Sequence, residues 1–248
     1  MMKADPFVQL RLLELQGLDS ALDRLGHRRR TLPAIAEMTR LEGLVAALRD
    51  AVVRAETEVS DLAREQAKFE REIEQVRSRK DRDEQRLTSG SISVAKQLQD
   101  LEHEVATLTR RQSDLEDSEL EVMERAETAQ AELDELTAQR AAHLDARAAA
   151  ETARDDAFVE IDAELERTAA ARAELAPSFP ADLLALYEKL RAAEGGVGAG
   201  EISRGRCGGC HLDLMNNEKS AIRAAPVDEV LRHEDCGRIM VRTAESGL

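Results

Sequence analysis

Residues Thr88-Ser89-Gly90-Ser91-Ile92-Ser93 separate two long stretches in which apolar residues recur at alternating intervals of four and three. This spacing is typical of coiled-coil helices, because it keeps one apolar seam facing a partner helix. Gly90 suits the left-handed backbone that ends many helices, and Ser91 or Ser93 can cap the helix that follows. The segment is therefore predicted to be the turn, near residues 88–93, of an antiparallel helical hairpin.

The seam continues without a slip on both sides of this turn. The first stretch starts at Leu41 and the second at Val94, and polar residues occupy only a few seam positions. The seam residues are Leu41, Val45, Leu48, Val52, Ala55, Val59, Leu62, Gln66, Phe69, Ile73 and Val76, then Val94, Leu98, Leu101, Val105, Leu108, Gln112, Leu115, Glu119, Val122, Ala126, Ala129, Leu133 and Leu136. Two such helices can bury their seams against each other, so one chain can form this coiled coil alone.

The far ends of the predicted hairpin are also marked in the sequence. Pro6 suits the first position of a helix, and the helical pattern ends at Ala176-Pro177. A break or kink is expected at Leu32-Pro33, because proline lacks the backbone N–H donor. Large apolar residues concentrate near these ends, and residues 181–194 form a short amphipathic stretch. Residues 1–194 are therefore predicted to form the hairpin, with a small helical bundle at its base.

A run of glycines follows the predicted base. The segment Gly195-Gly196-Val197-Gly198-Ala199-Gly200 lacks the Lys-Ser/Thr pair of a phosphate-binding loop and precedes no helical pattern. Residues 195–200 are therefore predicted to be a flexible linker. Residues 201–248 form a second, small unit that contains all three cysteines and few large apolar side chains.

Two short knuckles in this second unit have the spacing of a metal site. They are Cys207-Gly208-Gly209-Cys210 and His233-Glu234-Asp235-Cys236, with 22 residues between them. Cys-x-x-Cys lets two thiolates bind one ion across a tight turn, and thiolate with imidazole suits Zn²⁺. The predicted zinc ligands are Cys207, Cys210, His233 and Cys236. His211, directly after Cys210, is the alternative to His233.

Zinc in such a site is expected to be structural. Four protein ligands leave no position for a reacting water, and a unit with few large apolar residues would depend on the metal for much of its folding energy. The chain as a whole is then mainly α, a long antiparallel coiled-coil helical hairpin plus a small C-terminal zinc ribbon.

Composition and motifs argue against an enzyme. Five aromatic residues in 248 and a charged content of 34% are unlike a compact catalytic domain. The His-x-Glu of zinc deaminases, the His-Glu-x-x-His of metalloproteases and the P-loop do not occur. No enzymatic activity and no small-molecule substrate are therefore predicted.

Charge and hydropathy indicate where the protein works. The net charge of −15 opposes binding to bulk nucleic acid and to anionic membranes, so contact with either would have to be local. The chain contains no apolar run of about 18 residues and no signal-peptide pattern at its start. A cytoplasmic protein without membrane contact is expected.

The motifs together resemble the bacterial four-cysteine zinc-ribbon family with an N-terminal coiled-coil hairpin. The resemblance rests on Cys-Gly-Gly-Cys-His at 207–211, Cys-Gly-Arg-Ile at 236–239, the turn segment 89–93 and Gln-Ser-Asp-Leu-Glu-Asp at 112–117. It spans nearly the whole chain and implies a long helical hairpin joined to a zinc ribbon, with three of the family's ligands at Cys207, Cys210 and Cys236. The remaining ligand in the family is usually cysteine, where this chain has His233.

The resemblance also implies a class of function. Family members in flagellated and secretion-competent bacteria are non-enzymatic adaptors linked to export substrates, chaperones and the regulation of gene expression. A zinc-binding adaptor or scaffold whose ribbon and hairpin tip mediate protein interactions is therefore expected here.

Candidate contact residues cluster at the hairpin tip, defined here as residues 77–98. The tip has six basic and three acidic residues, a local excess of positive charge on a negative chain. The residues proposed for contact are Arg77, Arg79, Lys80, Arg82, Arg86 and Lys96 at the tip, and Arg238 in the ribbon. A protein partner is favoured, and a nucleic-acid-binding factor associated with the transcription or translation machinery, acting on nucleic acid or ribonucleoprotein, is the alternative. A solvated helix face with intrahelical ion pairs would explain the tip charges equally well.

Overall fold

The computed structural model describes residues 2–90 and 92–248. The chain is mainly α-helical, with long helices that form a hairpin and a small C-terminal β region, as predicted. The helices are α1 (Pro6–Arg30), α2 (Pro33–Thr88), α3 (Ala95–Leu175), α4 (Ala181–Ala193) and α5 (Asn216–Ala224), with a 3₁₀ turn at Ala176–Ser178. The strands are β1 (Ala199–Ser203), β2 (Arg206–Cys207), β3 (Leu231–Arg232) and β4 (Ile239–Val241). Over the described residues, no helix is both long and apolar enough to cross a membrane.

The chain divides into two compact units, of which one consists of Glu37–Ala150. Here α2 and α3 run antiparallel, because residues of α2 pair with residues of α3 in reverse order. The cross-helix ion pairs are Glu42–Arg147 at 2.9 Å, Glu65–Arg125 at 3.7 Å, Glu72–Arg111 at 3.4 Å and Arg79–Glu104 at 2.7 Å. Leu62, Val122 and Ala129 are buried between the helices. The predicted antiparallel coiled-coil hairpin is confirmed.

The turn between these helices lies where the glycine and serines interrupt the seam. Helix α2 ends at Thr88 and α3 begins at Ala95. Gly90 has φ of 66°, the left-handed conformation in which an L side chain would be strained. Ser91, one of the two predicted caps, lies outside the described residues.

The other unit consists of Met1–Ala36 with Glu151–Leu248, so it holds the base helices together with the ribbon. Helix α1 begins at Pro6, and the carboxylate of Asp5 accepts a hydrogen bond of 2.8 Å from the backbone N–H of Phe7. The predicted break at Leu32-Pro33 falls between α1 and α2. Leu12 and Leu15 of α1 pack with the buried residues of α4 in one apolar core.

The ribbon is a four-stranded sheet with strand order β2-β1-β4-β3. Strand β1 is parallel to β4, and the outer pairs β1–β2 and β3–β4 are antiparallel. The ribbon has a buried cluster of its own, formed by Ile202, Cys207, Leu214, Ile222, Leu231 and Met240. Each strand and α5 contributes one of these side chains, so burial of apolar surface adds to the folding energy expected from the metal.

The prediction of a flexible linker at 195–200 is wrong for residues 198–200. The Gly198 carbonyl accepts a hydrogen bond of 2.9 Å from the N–H of Ile239, and β1 begins at Ala199, two residues before the predicted start of the ribbon. A Cβ on Gly200 would lie 2.4 Å from the backbone nitrogen of Gly209. These glycines are required because backbones approach closely there, and not because the segment must bend freely.

Candidate metal centre

Four predicted ligands come together between the two knuckles of the ribbon. The first knuckle follows β2, which ends at Cys207, and the second connects β3 to β4. The Sγ atoms of Cys207, Cys210 and Cys236 and a ring nitrogen of His233 all lie within 4.8 Å of one another. His211 lies outside this cluster, exposed to solvent with φ of 62°.

The imidazole of His233 faces the thiols through Nδ1. This atom lies 3.3 Å from the Sγ of Cys210 and 3.2 Å from the Sγ of Cys236, and the side chain is fully buried. The backbone of the second knuckle is held by a 2.8 Å hydrogen bond from the N–H of Gly237 to the carbonyl of His233. This hydrogen bond closes the turn of the second knuckle.

The thiols differ in how readily they ionise. Burial raises the pKa of Cys207 to about 11, although backbone N–H groups of Cys210 and Gly209 point at its sulfur. Burial also opposes ionisation of Cys236, but hydrogen bonds from the backbone of Arg238 and the side chain of His233 outweigh it and lower the pKa of Cys236 to about 7. A cation bound among the sulfurs would favour the thiolate form at each of them.

The donor set fits a zinc ion. Three sulfurs and one imidazole nitrogen are the ligands of structural zinc sites, whose bonds are about 2.0–2.3 Å long. Donor atoms within 4.8 Å of one another are compatible with ligation of a single ion of that size. Cys207 and His233 are buried, while Cys210 and Cys236 are partly exposed.

Arg238, predicted as a contact residue, is largely buried. Its side chain is 14% exposed, and its guanidinium donates hydrogen bonds to the carbonyls of Val197 at 2.9 Å and Glu194 at 2.6 Å. It thereby ties the end of α4 to the second knuckle. Arg238 serves packing in this unit, which contradicts its prediction as an exposed contact residue.

The basic residues of the hairpin tip lie in the unit Glu37–Ala150, and several are already partnered there. Arg79 pairs with Glu104 of α3, and Arg86 lies 3.6 Å from the carboxylate of Asp83. Lys80 donates a hydrogen bond of 2.9 Å to the side chain of Gln112. The carboxylates of Glu104 and Asp83 reduce the positive charge that the tip presents to a phosphate group, whereas the neutral Gln112 leaves the charge of Lys80 unchanged.

Two family models match the chain. A CT398-like coiled-coil hairpin domain matches residues 15–195, and a C4-type zinc-ribbon domain matches residues 206–240. The second model covers all four clustered side chains, although this chain has histidine at position 233.

Relatives align over nearly their whole length. The chain is 41% identical over 242 residues to the Mycobacterium tuberculosis protein Rv2229c, covering 97% of this chain and 98% of that one. It is 36% identical over 232 residues to the Mycobacterium leprae protein ML1638, covering 90% and 96%.

Solved structures have the same fold. One from Mycobacterium smegmatis has a TM-score of 0.83 at 36% identity, covering 97% of this chain and all of that one. CT398 from Chlamydia trachomatis has a TM-score of 0.67 at 19% identity, covering 95% and 98%.

Proposed function

This chain belongs to the family with a CT398-like coiled-coil hairpin and a C4-type zinc ribbon, and on that premise we propose that it is a non-enzymatic zinc-binding adaptor. Its ribbon and hairpin tip contact protein partners, and it acts in the cytoplasm. The observation that carries the proposal is the closed cluster of Cys207, Cys210, His233 and Cys236. Four protein ligands complete a tetrahedral zinc ion, which leaves no coordination position for water or substrate.

Zinc in this site stabilises the ribbon. It joins the knuckle after β2 to the knuckle between β3 and β4, which lie on opposite edges of the sheet. The three cysteines form no disulfide in the structure, and thiols kept for metal binding are typical of the reducing cytoplasm. The metal thus holds a binding module together, and recognition of the partner belongs to the surface of the ribbon and of the hairpin.

The tip suits a protein partner better than a nucleic acid. Val94 is 50% exposed and Leu98 is 36% exposed, and both flank the basic Lys96 on the same end of the hairpin. Arg79 and Arg86 already have carboxylate partners. Exposed aliphatic groups among partly neutralised charges are typical of protein interfaces, whereas phosphate binding needs uncompensated cations.

Site-specific photo-crosslinking tests this proposal in the native host. A crosslinking residue replaces Lys96 at the tip in one variant and Arg206, exposed on the ribbon, in another. A third variant carries it at Glu127, which is exposed on α3 in the same unit as the tip and serves as the matched control. We expect protein adducts at 96 or 206 that persist after nuclease treatment and are absent at 127.

The outcomes separate the two classes of partner. Adducts that disappear after nuclease treatment would place the chain on nucleic acid or ribonucleoprotein, the transcription- or translation-associated alternative. Equal adducts at all three positions, or none, would contradict the adaptor proposal. For adducts at 206, loss in a C207S/C210S variant would show that the contact requires the zinc-stabilised ribbon.

A further inference from the structure

Glu218 is a buried carboxylate beside the metal centre. It lies in the first turn of α5, the helix inserted between the two knuckles, and it is 5% exposed. Its Oε1 accepts a hydrogen bond of 3.1 Å from the backbone N–H of Glu234 in the second knuckle. Its other oxygen, Oε2, lies 3.7 Å from Nε2 of His233.

The Nε2 atom of His233 needs a partner. It is buried and, among residues 2–90 and 92–248, has no hydrogen-bond partner. Because Nδ1 faces the sulfurs, a metal ion bound at Nδ1 leaves the ring proton on Nε2. A buried N–H donor without an acceptor costs about 1–3 kcal/mol, so the metal-bound ring favours a nearby carboxylate.

We propose that Glu218 is a positioning residue that accepts the Nε2–H of His233 and so orients the imidazole for metal binding. The N···O distance of 3.7 Å would shorten by about 0.7 Å to reach the usual hydrogen-bond length. A cysteine in place of His233 would have no ring N–H that needs an acceptor. The acceptor of Glu218 therefore matters only because the ligand at position 233 is histidine. The inference rests on the zinc site of the proposed function.

A second carboxylate provides the internal comparison. Oδ2 of Asp235 lies 3.9 Å from the same Nε2, but the Asp235 side chain is 57% exposed. Solvent competes for an exposed carboxylate and weakens its interaction with the ring. Glu218, which is buried and accepts a hydrogen bond from the backbone of Glu234, is therefore the partner that constrains the ring.

The test measures zinc affinity of the full chain by competition with a chromophoric chelator. E218M keeps a side chain of similar length but removes both acceptor oxygens, E218Q keeps one acceptor oxygen and replaces the other by an N–H donor, and D235N is the matched control. We expect E218M to weaken zinc binding by about 10–100-fold, the range for loss of an outer-shell partner, E218Q to weaken it less than E218M, and D235N to change it by less than about 3-fold.

A double-mutant cycle with H233C separates positioning from simple packing. Both E218M and H233C/E218M lose the hydrogen bond to Glu234, so that loss cancels in the cycle. We expect E218M to weaken zinc binding strongly in the background that keeps His233, and by less than about 3-fold in the H233C background. Equal weakening in both backgrounds, or none in either, would overturn the inference.

Two further readouts remain decisive if a variant fails to fold. In the zinc-loaded wild-type chain, ¹⁵N NMR should show metal bound at Nδ1 of His233 and a slowly exchanging proton on Nε2, and metal at Nε2 would refute the assignment. The zinc content of the wild type tests the underlying premise, since a chain without stoichiometric zinc would refute the proposed function itself.

Discussion

Replacing Gln16 by leucine should loosen the junction between α1 and the start of β1. The Gln16 side chain is 8% exposed, and its Oε1 accepts hydrogen bonds from the backbone N–H of Gly198 at 2.7 Å and of Ala199 at 3.3 Å. Its Nε2 donates to the carbonyl of Gly196 at 2.9 Å. Leucine can make none of these bonds, so buried backbone groups lose their partner.

The magnitude follows from those groups. Each buried polar group left without a partner costs about 1–3 kcal/mol, so loss of the acceptor of the two buried N–H groups should lower the free energy of unfolding of this unit by about 2–6 kcal/mol. With a denaturant slope of about 2 kcal/mol/M, the urea midpoint should fall by about 1–3 M.

The chain offers a convenient assay and control. Tyr187 is the single tyrosine and the chain has no tryptophan, so intrinsic fluorescence reports on the core where Gln16 lies. Q130L is the matched control, because Gln130 is exposed and its side chain donates a hydrogen bond of 2.7 Å to the exposed Asp134. Its free energy of unfolding should stay within about 0.5 kcal/mol of that of the wild type.

Hydrogen exchange gives a local check on the same reasoning. In Q16L the amide of Gly198 should exchange much faster, because its acceptor is gone. A Q16L midpoint no lower than that of Q130L, with the protection of Gly198 unchanged, would refute the account of this junction.

Three other predictions address the metal, the glycines and the tyrosine. Chelation of zinc should unfold β1–β4, as measured by hydrogen exchange, and should leave most of the helical circular dichroism, because every ligand lies outside α2 and α3. Parallel loss of the strand protection and of the helical signal would contradict this. G200A should destabilise the ribbon in thermal unfolding, since its Cβ would lie 2.4 Å from the nitrogen of Gly209, whereas G43A in exposed α2 should stabilise by about 0.5–1 kcal/mol. Burial and a 2.7 Å hydrogen bond to Asp19 raise the pKa of Tyr187, so its contribution to stability is complete below the unfolded pKa of about 10 and is lost as pH rises above it. Phenolate absorbance should therefore rise together with loss of tertiary structure, and ionisation of Tyr187 in the intact fold would show that the phenol is not shielded.

Much of this fold was predictable because its signals are local. The 4-3 spacing from Leu41 and from Val94 reflects the helix period itself, and Gly90 needs only its own backbone angle to end a helix. The knuckle spacing brought Cys207 and Cys210 to one turn for the same reason. The choice of His233 over His211 also followed from local spacing, since a residue directly after Cys210 turns away from the cluster.

The features that sequence reasoning missed depend on residues far apart in the chain. In the sequence, Gly198 and Gly200 have the pattern of a linker. In the structure, Gly198 packs against Tyr187 and Gly200 against the backbone of Gly209. Glu218 looks like an ordinary polar residue of a short helix, and only the packing of α5 against the second knuckle places it beside the imidazole. Its sequence position carried one weak signal, an acid in the segment between the two knuckles.

The sequence by itself determined the helical hairpin, the turn and the identity of the four clustered side chains, because periodicity and short spacing act within a few residues. Tertiary structure alone decided that β1 is packed and not free, that Arg238 is buried, and that Glu218 faces His233. The physical reason is that close backbone approach and the burial of a polar group depend on two surfaces that meet. The local sequence pattern of one surface does not identify the surface that packs against it.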